Sequence, residues 1–149
     1  MGSLNKNTNF KKIAKEVIDL EIKALQKLKK ALNKNFDKAV KAIVNCQSKV
    51  ILCGVGKSGI IASKISATLS SIGTPSFSLS ANDCSHGNMG SISRKDVLIL
   101  ISYSGNSIEL KNIINYANRN KILLIGITSK KNSDLYKNSA VSYTHLRAH

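Results

Sequence analysis

The feature that most constrains this chain is a repeating series of short apolar runs, each followed by a turn and a helical stretch. Val50-Ile51-Leu52-Cys53 and Val97-Leu98-Ile99-Leu100-Ile101 are continuously apolar and rich in branched side chains. They predict strands over 50–53 and 96–102, with further strands over 76–79 and 121–128 and the start of a fifth near 140–141. Helices are expected between them over 58–72, 107–118 and 133–138. Strands without polar alternation need cover on both faces, which is the signature of a parallel sheet. Right-handed crossovers then give an α/β, doubly wound, mainly parallel sheet: a Rossmann-like three-layer sandwich. Pro75 stands at a strand entrance, where its missing N–H does little harm. Ahead of the sheet, Ile13, Val17, Leu20, Ile22, Leu25 and Leu28 recur at helical spacing, predicting one amphipathic helix over 10–32 and a shorter one over 36–44. The reading divides the chain into an N-terminal helical segment (1–46), an α/β domain (47–141) and a tail (142–149).

A chain of 149 residues with 42% hydrophobic and 21% charged residues has the make-up of one globular domain. Its apolar runs are too short to cross a bilayer, so no membrane partner is expected. The start, Met1-Gly2-Ser3-Leu4-Asn5-Lys6, lacks an apolar signal core, and a cytoplasmic location is expected. Cys46, Cys53 and Cys84 show no CxxC spacing, so neither a disulfide framework nor a zinc ribbon is expected. The net charge of +15 invites a nucleic-acid reading. Against it, the charges are mostly lysines on helix surfaces, and the 5% of aromatics do not interleave with them. No nucleic-acid partner is expected; a positive field favours encounter with small anions instead.

In such sheets ligands sit beyond the carboxyl ends of the strands. The first turn there is Gly54-Val55-Gly56-Lys57-Ser58-Gly59. A P-loop would place its first glycine at Ile51, inside the strand, which excludes an NTPase. The dinucleotide fingerprint GxGxxG does match, but its partner acid should close the second strand, which ends Leu79-Ser80-Ala81-Asn82. A third reading uses the same physics: two glycines allow close backbone approach, and the helix start offers N–H groups to an anion. Ser58 adds a hydroxyl or simply caps the helix, and Lys57 is either a charge for the anion or a solvated surface lysine.

The second turn is Ser102-Tyr103-Ser104-Gly105-Asn106-Ser107-Ile108-Glu109. Ser102, Ser104 and Ser107 surround Gly105, and Ser107 is placed to cap the next helix. Hydroxyl and backbone donors at a helix start bind a monophosphate without metal. Glu109 falls in the first helical turn, where the dipole favours a carboxylate whatever its function.

These two motifs, with Gly73-Thr74-Pro75-Ser76-Phe77 and His86-Gly87-Asn88-Met89-Gly90 between them, resemble the sugar isomerase (SIS) domain. More narrowly they are similar to the arabinose-5-phosphate isomerase family, over roughly residues 10–141. The resemblance implies a five-stranded SIS-type sandwich acting on a sugar phosphate, usually followed by a CBS pair and assembled as a homotetramer. It implies catalytic positions at Lys57 and Glu109, substrate contacts at Gly73, Thr74 and His86, and a phosphate cradle of Ser58, Ser102, Ser104 and Ser107. An aldose–ketose interconversion needs a base to carry a proton between C1 and C2, and a cation or donor at the enediolate oxygen. Glu109 suits the first role, Lys57 the second, and His86 ring opening or a hydroxyl contact. No cofactor is expected.

The chain departs from the family pattern at Ser80, Asn88, Tyr103 and Asn106. Many members carry histidine at the position of Ser80; serine is a poor metal ligand beside imidazole, so no metal is expected. The segment from Ser142 to His149 does not resemble the family, and the α/β domain is expected to be incomplete at its C-terminus. A non-catalytic sugar-phosphate sensor and an NAD-binding domain are the alternatives; the serine turn and the missing acid tell against the latter.

Overall fold

The computed structural model describes residues 9–84 and 87–144. They fall into two compact units, residues 9–32 and residues 33–144. The first is one helix, α1 (Phe10–Ala31), capped by the Asn9 side chain, which accepts the Lys12 N–H at 3.0 Å. None of its residues is buried, and Phe10, Val17, Ile18 and Leu25 are more than half exposed.

The second unit runs α2 (Lys34–Val44), β1 (Val50–Gly54), α3 (Lys57–Ser71), β2 (Ser76–Ser80), α4 (Ala81–Cys84), a 3₁₀ turn (Asn88–Ser91), β3 (Val97–Ser102), α5 (Ile108–Arg119), β4 (Leu123–Thr128), α6 (Asp134–Asn138) and β5 (Val141–Thr144). The five strands form one parallel sheet in the order β2-β1-β3-β4-β5. This is the doubly wound α/β fold that the apolar runs predict. Residue alternation splits the core. Ile51, Cys53, Leu98, Leu100 and Leu124 face Leu110, Ile113 and Ile114 of α5 and Leu135 of α6. Val50, Leu52, Val97, Ile99 and Ile125 face Ala62 of α3 and Ala39, Ala42 and Ile43 of α2.

Several elements differ from expectation in detail. The fourth strand starts at Leu123, because Lys121 takes a left-handed backbone (φ 54°) to end α5, its N–H bonding Asn118 O while Ile122 N–H returns to Ala117 O. The stretch after β2, expected to be a loop, forms α4, whose Cys84 is buried against β1. The fifth strand continues through Ser142, Tyr143 and Thr144, the first residues of the segment set apart in the sequence, pairing Gly126 with Ser142 and Thr128 with Thr144. Among the described residues no helix is long and apolar enough to cross a membrane.

Candidate functional site

The strand order reverses direction at β1: the chain leaves β1 toward β2 on one side and resumes at β3 on the other. Crossovers diverging from neighbouring strands leave a crevice beyond their carboxyl ends. The β1–β3 register pairs Gly54 with Ile101, so the glycine turn after β1 and the serine turn after Ser102 emerge level and side by side. Two turns separated by about fifty residues of sequence thus flank one crevice.

Glycine packing builds the first turn. A Cβ on Gly54 would lie 2.7–2.9 Å from the backbone of Ser58 and Gly59, and one on Gly59 would lie 2.9 Å from Gly54 O. Both positions therefore admit only glycine if α3 is to start against the strand end. Gly56 is the N-cap, with φ 57°, and no side chain caps the helix. Ser58 is inside the helix, and its own N–H bonds Val55 O at 3.2 Å, so it does not cap. The start of α3 therefore stays open to a ligand, with Lys57 exposed and Ser58 half-buried.

In the second turn Ser102 is buried, and its Oγ accepts the Gly105 N–H at 3.0 Å, closing the loop on itself. Its hydroxyl proton is still available for donation. Ser104 is exposed and accepts a long bond from Asn106 N–H, 3.4 Å. Ser107 occupies the N-cap of α5 with extended backbone, yet makes no capping bond, contrary to expectation. Both helices facing the crevice thus begin without a side-chain cap, and both carry a titratable residue in the first turn: Lys57 on α3 and half-buried Glu109 on α5.

A cleft of about 310 Å³ adjoins the first turn, lined by Gly54, Gly56, Ser63, Ser78 and Ser80 among others. Ser63 and Ser78 bring hydroxyls there that the motifs did not single out; only the helical offset of Ser63 from Gly59 and the strand alternation of Ser78 with Ser80 signal it. A larger groove of about 490 Å³, walled by Lys38, Lys41, Arg94 and Lys95, lies at the amino ends of the strands, away from both turns.

The structure brings Lys57, Ser58, Ser102, Ser104, Ser107 and Glu109 to one edge. It does not bring Gly73 and Thr74 there within this chain. They precede β2 and line a hollow with Val50, the first residue of β1, at the opposite edge of the sheet. His86 lies outside the described residues. Elsewhere, the Cys53 thiol is fully buried with Cys84; a hydrogen bond with that thiol, followed by burial, pushes its pKa far above the ordinary range, so it stays protonated and inert.

A parallel α/β sheet whose strand order reverses at β1, with two helix starts lacking side-chain caps and serines on the adjoining turns, is a domain of the doubly wound class. The family model of the SIS domain matches residues 43–149. The chain is 39% identical over 134 residues to the arabinose 5-phosphate isomerase KdsD of Yersinia pestis, covering 90% of this chain and 41% of that protein. It is 42% identical over 132 residues to the Francisella tularensis KdsD, covering 87% of this chain and 40% of that one. Among solved structures, an E. coli CFT073 protein in complex with arabinose 5-phosphate superposes with a TM-score of 0.86 at 35% identity, covering 95% of this chain and 74% of that one. The chain belongs to the SIS-domain family. It spans about 41% of the length of the first curated relatives it matches.

Proposed function

We propose that this chain is the sugar-phosphate domain of an isomerase interconverting D-arabinose 5-phosphate and D-ribulose 5-phosphate. The observation that carries the reading is the level emergence of the glycine and serine turns at the β1–β3 switch point, with Lys57 and Glu109 heading the two helices. The likeness to curated arabinose 5-phosphate isomerases and to the protein solved with arabinose 5-phosphate supports that substrate.

The hydroxyls of Ser58, Ser102, Ser104 and Ser107 and the free end of α5 hold the phosphate, supplying hydrogen bonds and the positive end of a helix dipole. Glu109 takes the C2 proton of the open-chain aldose and returns it to C1 of the enediolate; the hydroxyl proton moves from O2 to O1. Lys57 places its ammonium against the oxygen on which negative charge develops, a contact stronger in the transition state than in the ground state. His86 is the group assigned to ring opening or a sugar hydroxyl, and Gly73 and Thr74 are assigned contacts that a single chain does not bring to this edge.

The test is direct. Incubation with arabinose 5-phosphate should yield ribulose 5-phosphate, and Lys57→Ala or Glu109→Gln should each lower turnover by roughly 10²-fold or more. A thermal shift with sugar phosphates but no turnover would replace the enzyme with a sensor, and a shift with NAD alone would remove sugar phosphate as the ligand.

A further inference from the structure

Besides its internal bond from Gly105 N–H to Ser102 Oγ, the serine turn is held from outside, by the segment that follows β4. The Tyr103 carbonyl accepts three bonds: from Ser129 N–H at 3.2 Å, Ser129 Oγ at 2.7 Å and Thr128 Oγ1 at 3.3 Å. The Gly105 carbonyl accepts the Leu135 N–H at 3.0 Å, and Asn106 Oδ1 accepts the Asp134 N–H at 2.8 Å. Every one of these donors comes from the end of β4, the loop after it or the start of α6. Ser133 steadies that loop, its Oγ donating to Lys130 O at 2.7 Å and accepting Tyr136 N–H at 3.3 Å.

The same loop carries charge. Lys130 is exposed, has no carboxylate partner among the described residues, and holds its ammonium 5.9 Å from the centroid of the Tyr103 ring, on the turn itself. A phosphomonoester brings a charge of about −1.5 to −2 at neutral pH. Neutral hydroxyls and the partial charge of about +0.5 at the α5 start offset only part of it, and Lys57 is assigned to the enediolate oxygen.

We infer that the loop after β4 is the second half of the phosphate cradle, with Ser129 and Asn106 as positioning residues for the serine turn and Lys130 as the cation facing the phosphate. The inference rests on the sugar-phosphate reading above. The geometry argues for a division of labour: the α5 start and the serines supply direction, and the β4 loop supplies rigidity and charge.

Binding of arabinose 5-phosphate, of inorganic phosphate and of unphosphorylated arabinose is measured by calorimetry on the full chain and its variants, with melting temperatures recorded alongside. Lys130→Ala should weaken both phosphorylated ligands about tenfold and flatten their salt dependence, while Lys130→Arg keeps most of the affinity. Ser129→Ala and Asn106→Ala should weaken them several-fold, Ser129→Thr should restore the loss, and in turnover assays the change should fall on KM more than on kcat. Wild-type protein that binds phosphorylated ligands while Lys130→Ala and Ser129→Ala stay within twofold of it overturns this inference and leaves the proposed function standing. Affinity that falls only in step with melting temperature, unrescued by Ser129→Thr, also overturns the positioning role. Failure of the wild-type protein to bind any phosphorylated ligand overturns both.

Discussion

Replacing Gly54 with alanine perturbs the junction on which the first turn depends. The added Cβ would stand 2.7 Å from Ser58 C, 2.8 Å from Ser58 O and 2.9 Å from Gly59 N, roughly 0.5–0.7 Å inside the 3.4 Å at which ordinary contact begins. All three atoms are backbone, so no side chain can rotate away; the start of α3 must move off β1. Overpacking of this kind costs about 1–3 kcal/mol, and rigid backbone on both sides argues for at least about 2 kcal/mol. The displacement also carries Lys57 and Ser58, which sit in the first turn of α3. Misplacing a reacting group by about 1 Å can cost roughly 10²-fold, so under the proposed isomerase function catalysis should fall further than stability alone explains. Urea titration at constant m-value reads the first effect, and turnover of arabinose 5-phosphate by the fraction still folded reads the second. An alanine variant within about 0.5 kcal/mol of wild type, the range of an indifferent surface change, and turning over normally would refute the packing argument. Gly56→Ala makes a useful contrast, since among the described residues nothing lies within 4 Å of its Cβ and the backbone conformation (φ 57°) is what opposes it.

Asp96 is 1% exposed and is bound by both oxygens to Lys49 at 3.2 Å and by the Ser93 N–H at 2.7 Å. Burial alone would raise its pKa, but the Ser93 N–H, the Ser48 hydroxyl and the Lys49 ammonium together hold it below the usual value of 3.8. The stability it contributes is therefore complete above pH 3.8 and is lost as pH falls through the depressed value. Asp96→Asn should cost about 2 kcal/mol at neutral pH and remove that part of the acid transition, as followed by circular dichroism against pH. Native-state thiol labelling should reach Cys46 first, while Cys53 and Cys84, both fully buried, react only at the rate of global opening; fast labelling of either would contradict the packing of α4 on β1. Gly105→Ala would drive its Cβ into the Ser133 side chain, so it should weaken phosphate binding as well as stability, read by calorimetry and by thermal melting.

Much of this protein is legible along the chain because the informative interactions are local. Strands such as Val50–Gly54 and Val97–Ser102 are buried along their whole length, and strands covered on both faces read as near-continuous apolar runs, Ser102 at the strand end apart. Glycine and serine at their carboxyl ends mark where helices restart, so the two turns and their residue types can be read without coordinates. The start of α3 is less plain in the sequence: Ser58 has the chemistry of a cap, but Gly54 and Gly59 let the helix begin one residue earlier, at Lys57. A preference for Ser at helix caps is a local tendency, and tertiary close approach overrides it.

By itself the sequence determined the α/β class, the two turns and the hydroxyl-rich chemistry they present, because each follows from residue types within a few positions. Only the tertiary structure decided which turns share a crevice, since strand order and the pairing of Gly54 with Ile101 are set by non-local hydrogen bonds. It also set Gly73 and Thr74 at the far edge, and joined Tyr103 and Asn106 to Ser129 and Asp134 across more than twenty residues. Contacts at that separation depend on how the sheet closes, and no periodicity in the chain encodes them.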